Sequence, residues 1–218
     1  MTMTDRSQGV ATPPLAKGWL IAPAIGAVAI AGVMGSGAGF SVTDDLPVET
    51  MLDKIEAANS SLLLVGAVQA LAAMGLVVFG AWIFSRLRAV EPAGALTSLV
   101  AGGGCLLTAS MMAMAAAHTQ LVVDTQDAVD PAVALTLHTL EESLFAASWC
   151  SLALVAGAVA VAALRHRVLP TWLGGVSVFI AALLVVLQVV VPWAGWFVGA
   201  VWLVAAGFGL RVRAPSVA

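Results

Sequence analysis

The chain has 218 residues, of which 61% are hydrophobic and 10% charged, with a mean hydropathy of +1.03 and a formal charge of −3. A soluble domain carries about a quarter charged residues, so lipid and not water surrounds most of these side chains. No phosphate-cradling loop after a strand, no nucleophile–base pair and no basic aromatic stripe occurs, which excludes ATP and nucleic acid as partners.

Taken in chain order, residues 1–17 are polar, contain Pro13 and Pro14, and read as a disordered cytoplasmic leader. The first apolar run, 18–39, is expected to span the membrane. A signal-peptide reading is weaker, because the run is long for such a segment and five further spans need no leader to be inserted. Residues 41–60 contain Asp44-Asp45-Leu46-Pro47, a cap-and-proline start, followed by Met51, Leu52 and Ile55 at helical spacing. A short amphipathic helix on the outer surface is expected there.

Spans two and three are expected at 61–84 and 94–117, joined by a short basic loop. Asp130-Pro131 again reads as an N-cap followed by proline. A helix from there to Leu164 would be ~50 Å long, so span four, 144–164, should project above the outer face or tilt. From Trp172 to Leu210 no residue is charged. One helix of that length would reach about 58 Å, roughly twice the hydrocarbon thickness. Val191-Pro192-Trp193-Ala194-Gly195 must break it into spans five, 172–191, and six, 193–210, with residues 211–218 as a cytoplasmic tail.

The fold expected is therefore an all-α, six-span bundle forming one membrane domain over 18–210. With the N-terminus inside, Arg6, Lys17, Arg86, Arg88, Arg165, Arg167, Arg211 and Arg213 are cytoplasmic and only Lys54 is outside. That asymmetry is the positive-inside rule at work. It places the chain in the cytoplasmic membrane with both termini inside. The absence of Tyr, seven Arg against two Lys, and abundant Ala, Val and Gly suggest a bacterium with a GC-rich genome. Trp19, Trp82 and Trp172 are expected at the inner interface, and Trp193 and Trp196 at the outer one. Cys105 and Cys150 read as small buried hydrophobes at different depths, with no metal-binding thiol spacing.

Two constellations could carry function. His138, Glu141 and Glu142 stand at i, i+3 and i+4, so one helical face presents an imidazole beside carboxylates. His118 could approach from the neighbouring span. These residue types suit a divalent metal such as zinc, or proton handling. They are expected at the membrane boundary, outside the hydrocarbon. Gln69 and Gln188 fall in the outer half of their spans and suit either interhelical hydrogen bonding or a small outward-facing cavity. Gly35-x-x-x-Gly39, Gly102-Gly103-Gly104 and Gly195-x-x-x-Gly199 read as surfaces for close helix approach.

Leu137-His138 before span four, and Leu169-Pro170-Thr171-Trp172-Leu173-Gly174 opening span five, give a further clue. The order of these features resembles a bacterial domain-of-unknown-function family of small six-span membrane proteins. That resemblance implies a helical bundle and supplies no activity. Members often carry an aromatic shortly after the Leu-His pair, where this chain has Thr139, Leu140 and two glutamates.

The functional expectation has three parts. The first is a non-enzymatic accessory, assembly or lipid- or small-molecule-binding protein, working as a homo-oligomer or beside another membrane protein. The second is a small permease with an outward cavity. The third is a metal-dependent enzyme at the outer face. Short loops and an apolar interior point away from an enzyme, and beyond that divalent metal no cofactor is expected.

Overall fold

The computed structural model describes residues 20–21, 23–26, 50, 53, 56–57, 59–88, 94–126, 131–191 and 194–211, with some side chains inside the helices left out. Most of the first expected span and of the expected outer-surface helix lies outside these residues, as do Gly35 and Gly39. Among the described residues the structure is helical without strands. Its five long elements are α1 (Asn59–Arg88), α2 (Ala95–Gln126), α3 (Pro131–Leu164), α4 (Thr171–Val190) and α5 (Gly195–Arg211).

A backbone in lipid must satisfy its own hydrogen bonds, which helices do within one segment. Four stretches are long and apolar enough to cross a membrane: Leu63–Ser85, Ala95–Val123, Leu135–Leu164 and Thr171–Val190. Gly195–Leu210 is a shorter apolar helix. Leu64, Leu71, Phe179 and Val189 are all well exposed on these helices. Such apolar surface is a liability in water and ordinary against acyl chains. The protein is a helical membrane protein.

α3 is the centre of the bundle. It packs against α2, α4 and α5, while α1 packs on α2. Its best membrane-spanning window is 53% buried, against 28–33% for the other three. Contacts fix the helix directions. His118 meets Glu141 near one end of the α2–α3 pair, and Gly103 meets Ser151 and Leu154 further along, so these two helices are antiparallel. α4 and α5 are likewise antiparallel, with Trp202 on Ser177 and Gly209 against Leu173. The short helical piece at 23–26 packs between α1 and α5, since Gly75 faces Ile25 and Gly26 faces Ala200. These directions gather the C-terminus of α1, the α3–α4 connection and the C-terminus of α5 at one end of the bundle. The arginines at 86, 88, 165, 167 and 211 therefore share that end, and His118, His138 and Glu141 lie toward the other.

The α3–α4 connection is tight. Arg167 adopts a left-handed conformation (φ 53°), and the Val168 N–H reaches back to the Ala162 carbonyl at 3.3 Å. Pro170 then precedes α4, as a residue without an N–H can at a helix start. At the other end of α4, the N–H of Val191 closes on Leu187 and Ala194 on Val191 before α5 begins.

Three sequence expectations change here. Trp82 does not face outward as an interface ring would: it is buried and stacks on Phe79 at 6.3 Å between ring centroids. Cys105 is exposed and Cys150 half-buried, both as free thiols, because each turns partly away from the packed side of its helix. Of the triple glycine only Gly103 is buried against a neighbour, α3; Gly102 and Gly104 face open space.

The small polar residues are satisfied locally: Thr97 bonds to the Gly94 carbonyl just before α2, and Ser148 and Ser151 to carbonyls of α3. Between α4 and α5 the Trp202 indole N–H donates to Ser177 Oγ at 2.9 Å with both residues fully buried. Ser177→Ala strands that N–H, and a stranded buried donor costs about 1–3 kcal/mol. Detergent-unfolding midpoints should show Ser177→Ala below wild type, with Trp202→Phe/Ser177→Ala recovering part of the difference.

Candidate functional site

The polar centre of the protein is assembled from three helices. α1 contributes Gln69, α2 His118, and α3 both His138 and Glu141. Helical periodicity places His138 and Glu141 on one face of α3, and the antiparallel register of α2 brings His118 opposite them. Gly66 completes the arrangement. A Cβ at that position would meet the Ala115 carbonyl oxygen at 3.3 Å and His118 Cβ at 3.4 Å, so a residue without a side chain lets α1 close over the imidazole.

The geometry is a chain of polar contacts. His118 Nδ1 lies 2.9 Å from Gln69 Oε1. The other ring nitrogen, Nε2, lies 3.3 Å from Glu141 Oε1. Glu141 Oε2 in turn lies 3.7 Å from His138 Nδ1. One carboxylate thus stands between two imidazoles.

Both histidines were expected at the bundle surface. The structure corrects this: His118 is 5% exposed and His138 7%. The reason is helix length. α2 runs on past residue 117 to Gln126, and α3 begins at Pro131, so each ring sits about two turns inside its helix end. Both fall within the apolar stretches that can cross a membrane, Ala95–Val123 and Leu135–Leu164. The interior is therefore not free of ionisable groups, although these residues were expected outside the hydrocarbon.

The expected metal set divides. His118, His138 and Glu141 come together, while the side chain of Glu142 lies outside the described residues. Among the described residues no three His, Cys, Asp or Glu side chains are disposed to hold a metal ion. Glu141 instead fills the space between the two rings. The expected cavity pair separates as well. Gln69 joins the histidine cluster, whereas Gln188 sits half-buried on α4, and among the described residues no hydrogen bond links it to the cluster. α4 packs on α3 and α5, which puts Gln188 on the far side of the central helix from α1.

Sequence reasoning assigned Gln69 and His118 to different constellations and did not single out Gly66. The available signal was depth: Gln69 and His118 lie at comparable distances from the α1–α2 connection, on helices that a short loop must make antiparallel.

No protein-family model, no curated protein and no solved structure matches this chain. The resemblance to a six-span family rests on its sequence motifs alone.

Proposed function

We propose that this is a six-span protein of a bacterial cytoplasmic membrane, with both termini inside, that works without covalent chemistry as an accessory or binding protein. Its working part is the Gln69–His118–Glu141–His138 cluster toward the outer face. One observation carries the reading: an otherwise apolar bundle buries a connected set of ionisable and amide side chains from three helices. Intramembrane ionisable groups are costly, and they mark functional positions by default. The orientation is supported by the arginines collected at the opposite end.

Two measurements test this. For topology, single cysteines at Arg167 and Ala132, in a background without Cys105 and Cys150, are exposed to an impermeant maleimide on intact cells. Ala132→Cys is expected to label from outside and Arg167→Cys only after permeabilisation; the reverse pattern overturns the orientation. For function, native mass spectrometry from gentle detergent is expected to show a reproducible added lipid, small molecule or second membrane protein. That mass should fall away in Glu141→Ala, and a bare monomeric mass overturns the binding reading.

A second reading, a small permease open to the outside, is favoured by the ionisable groups lying within the apolar spans. The metal-dependent enzyme at the outer face has less support, since the described side chains do not form a ligand set.

A further inference from the structure

The hydrogen-bond polarity of the cluster carries an inference about what it binds. A neutral imidazole has one N–H and one lone pair. His118 Nδ1 faces Gln69 Oε1 at 2.9 Å. A carbonyl oxygen only accepts, so Nδ1 carries the hydrogen. The neutral ring would then present the lone pair of Nε2 to Glu141 Oε1, 3.3 Å away. A lone pair facing an ionised carboxylate is repulsive, and here both groups are largely buried, with side-chain exposures of 6% and 15%.

We propose that the cluster is a proton-binding site in which one proton is held between His118 Nε2 and Glu141, with Gln69 as the positioning residue that fixes the imidazole tautomer. The inference rests on reading this cluster as the working part of the protein. Written as imidazolium with carboxylate, or as neutral imidazole with carboxylic acid, the pair has zero net charge. Zero net charge is what a buried site tolerates. Removing the proton leaves a net negative charge inside the bundle, unless the Gln69 amide rotates to offer its NH2 to Nδ1. That rotation allows the remaining hydrogen to move to Nε2, where it donates to Glu141. Loading and unloading are thus coupled to one amide flip on α1, and so to how α1 sits against α2. Gln69 faces the pair from α1, and His138 from α3, whose Nδ1 lies 3.7 Å from Glu141 Oε2. The side chains of Asp124 and Glu142 are outside the described set.

The test is nitrogen-15 NMR of the histidine-labelled full chain in lipid nanodiscs, where only three histidines contribute. His166→Asn and His138→Gln assign the signals by elimination. At neutral pH His118 is expected to show a protonated Nδ1, and an Nε2 that is either protonated or strongly hydrogen-bonded. Glu141→Gln, whose amide N–H can donate to Nε2, should hold the Nδ1–H form at every pH and abolish the alkaline change seen in wild type. Infrared difference spectra between acid and alkaline pH should contain a Glu141 carboxyl signal absent from that variant. A neutral Nε2–H tautomer with bare Nδ1 in wild type at neutral pH overturns the proposal. So does displacement of the proton by stoichiometric zinc, which would make the site a metal centre. Neither outcome depends on whether a lipid or partner co-purifies.

Discussion

His118→Ala is expected to be among the most damaging single substitutions in the described part of the chain, at about 1–3 kcal/mol, the usual cost of leaving a buried polar group without its partner. The loss has two sources. Glu141 keeps its burial but loses the imidazole 3.3 Å away, and Gln69 loses the ring nitrogen at 2.9 Å. Thermal unfolding in mild detergent should report it directly. Three companions separate the electrostatic cause from a simple cavity. Glu141→Gln keeps a hydrogen-bonding group against Nε2 and should retain most of the wild-type midpoint. The double variant His118→Ala/Glu141→Gln should be more stable than His118→Ala alone, because it no longer leaves a largely buried carboxylate without the imidazole 3.3 Å away. The His118→Ala deficit should also shrink in acid, where Glu141 takes up a proton and becomes neutral. If the double variant is as unstable as the sum of its parts, or the deficit is the same at all pH values, the cost lies in packing and not in charge.

How much of this was legible beforehand follows from the physics of each signal. The positions of α1, α4 and α5 and the start of α2 are visible to within a few residues, because uninterrupted apolar runs and Pro/Gly breaks directly encode membrane helices, whereas α2 continues nine residues past its expected end. The start of α3 was also legible, since Asp130-Pro131 is a local cap signal. Burial of His118 and His138 was not. Hydropathy places a polar residue at a membrane boundary whether it faces water, headgroups or another helix. Facing is decided by register between helices, and here by the missing side chain of Gly66, which single-chain composition does not encode. The same limit explains Ser177. It lies in an apolar span like Ser148 and Ser151, yet only the crossing of α4 and α5 gives it Trp202 as a donor, while the other two turn back on their own backbone. Gly195 and Gly199 were legible as a packing surface from their spacing, but what they receive was not.

What they receive is Trp149 of α3, and this makes Gly199→Ala the second substitution with a large expected effect. A Cβ on Gly199 would run into the Trp149 six-membered ring and come within 3.0 Å of Leu152 Cδ2, and one on Gly195 would meet Trp149 Cβ at 3.2 Å. Trp149 is 3% exposed and braced edge-on by Phe145 at 6.4 Å, so it has little room to retreat. Forcing one extra carbon into a packed core costs about 1–3 kcal/mol, and in lipid this contact is worth more to assembly because apolar burial gives no drive between helices. Gly199→Ala should therefore lower the unfolding midpoint clearly, and Gly199→Leu should separate α5 from α3 altogether. Trp149→Phe supplies the control. The indole Nε1 is buried with no hydrogen-bond partner among the described residues, so Phe removes an unsatisfied donor while it loses ring area. Trp149→Phe alone should be close to wild type, and Trp149→Phe/Gly199→Ala should recover much of the Gly199→Ala loss. Additive losses would show that Gly199 is held small by something other than this ring. Recovery would establish the α3–α5 seam as a knob-and-groove contact, independent of the polar cluster about two to three turns away on the same helix.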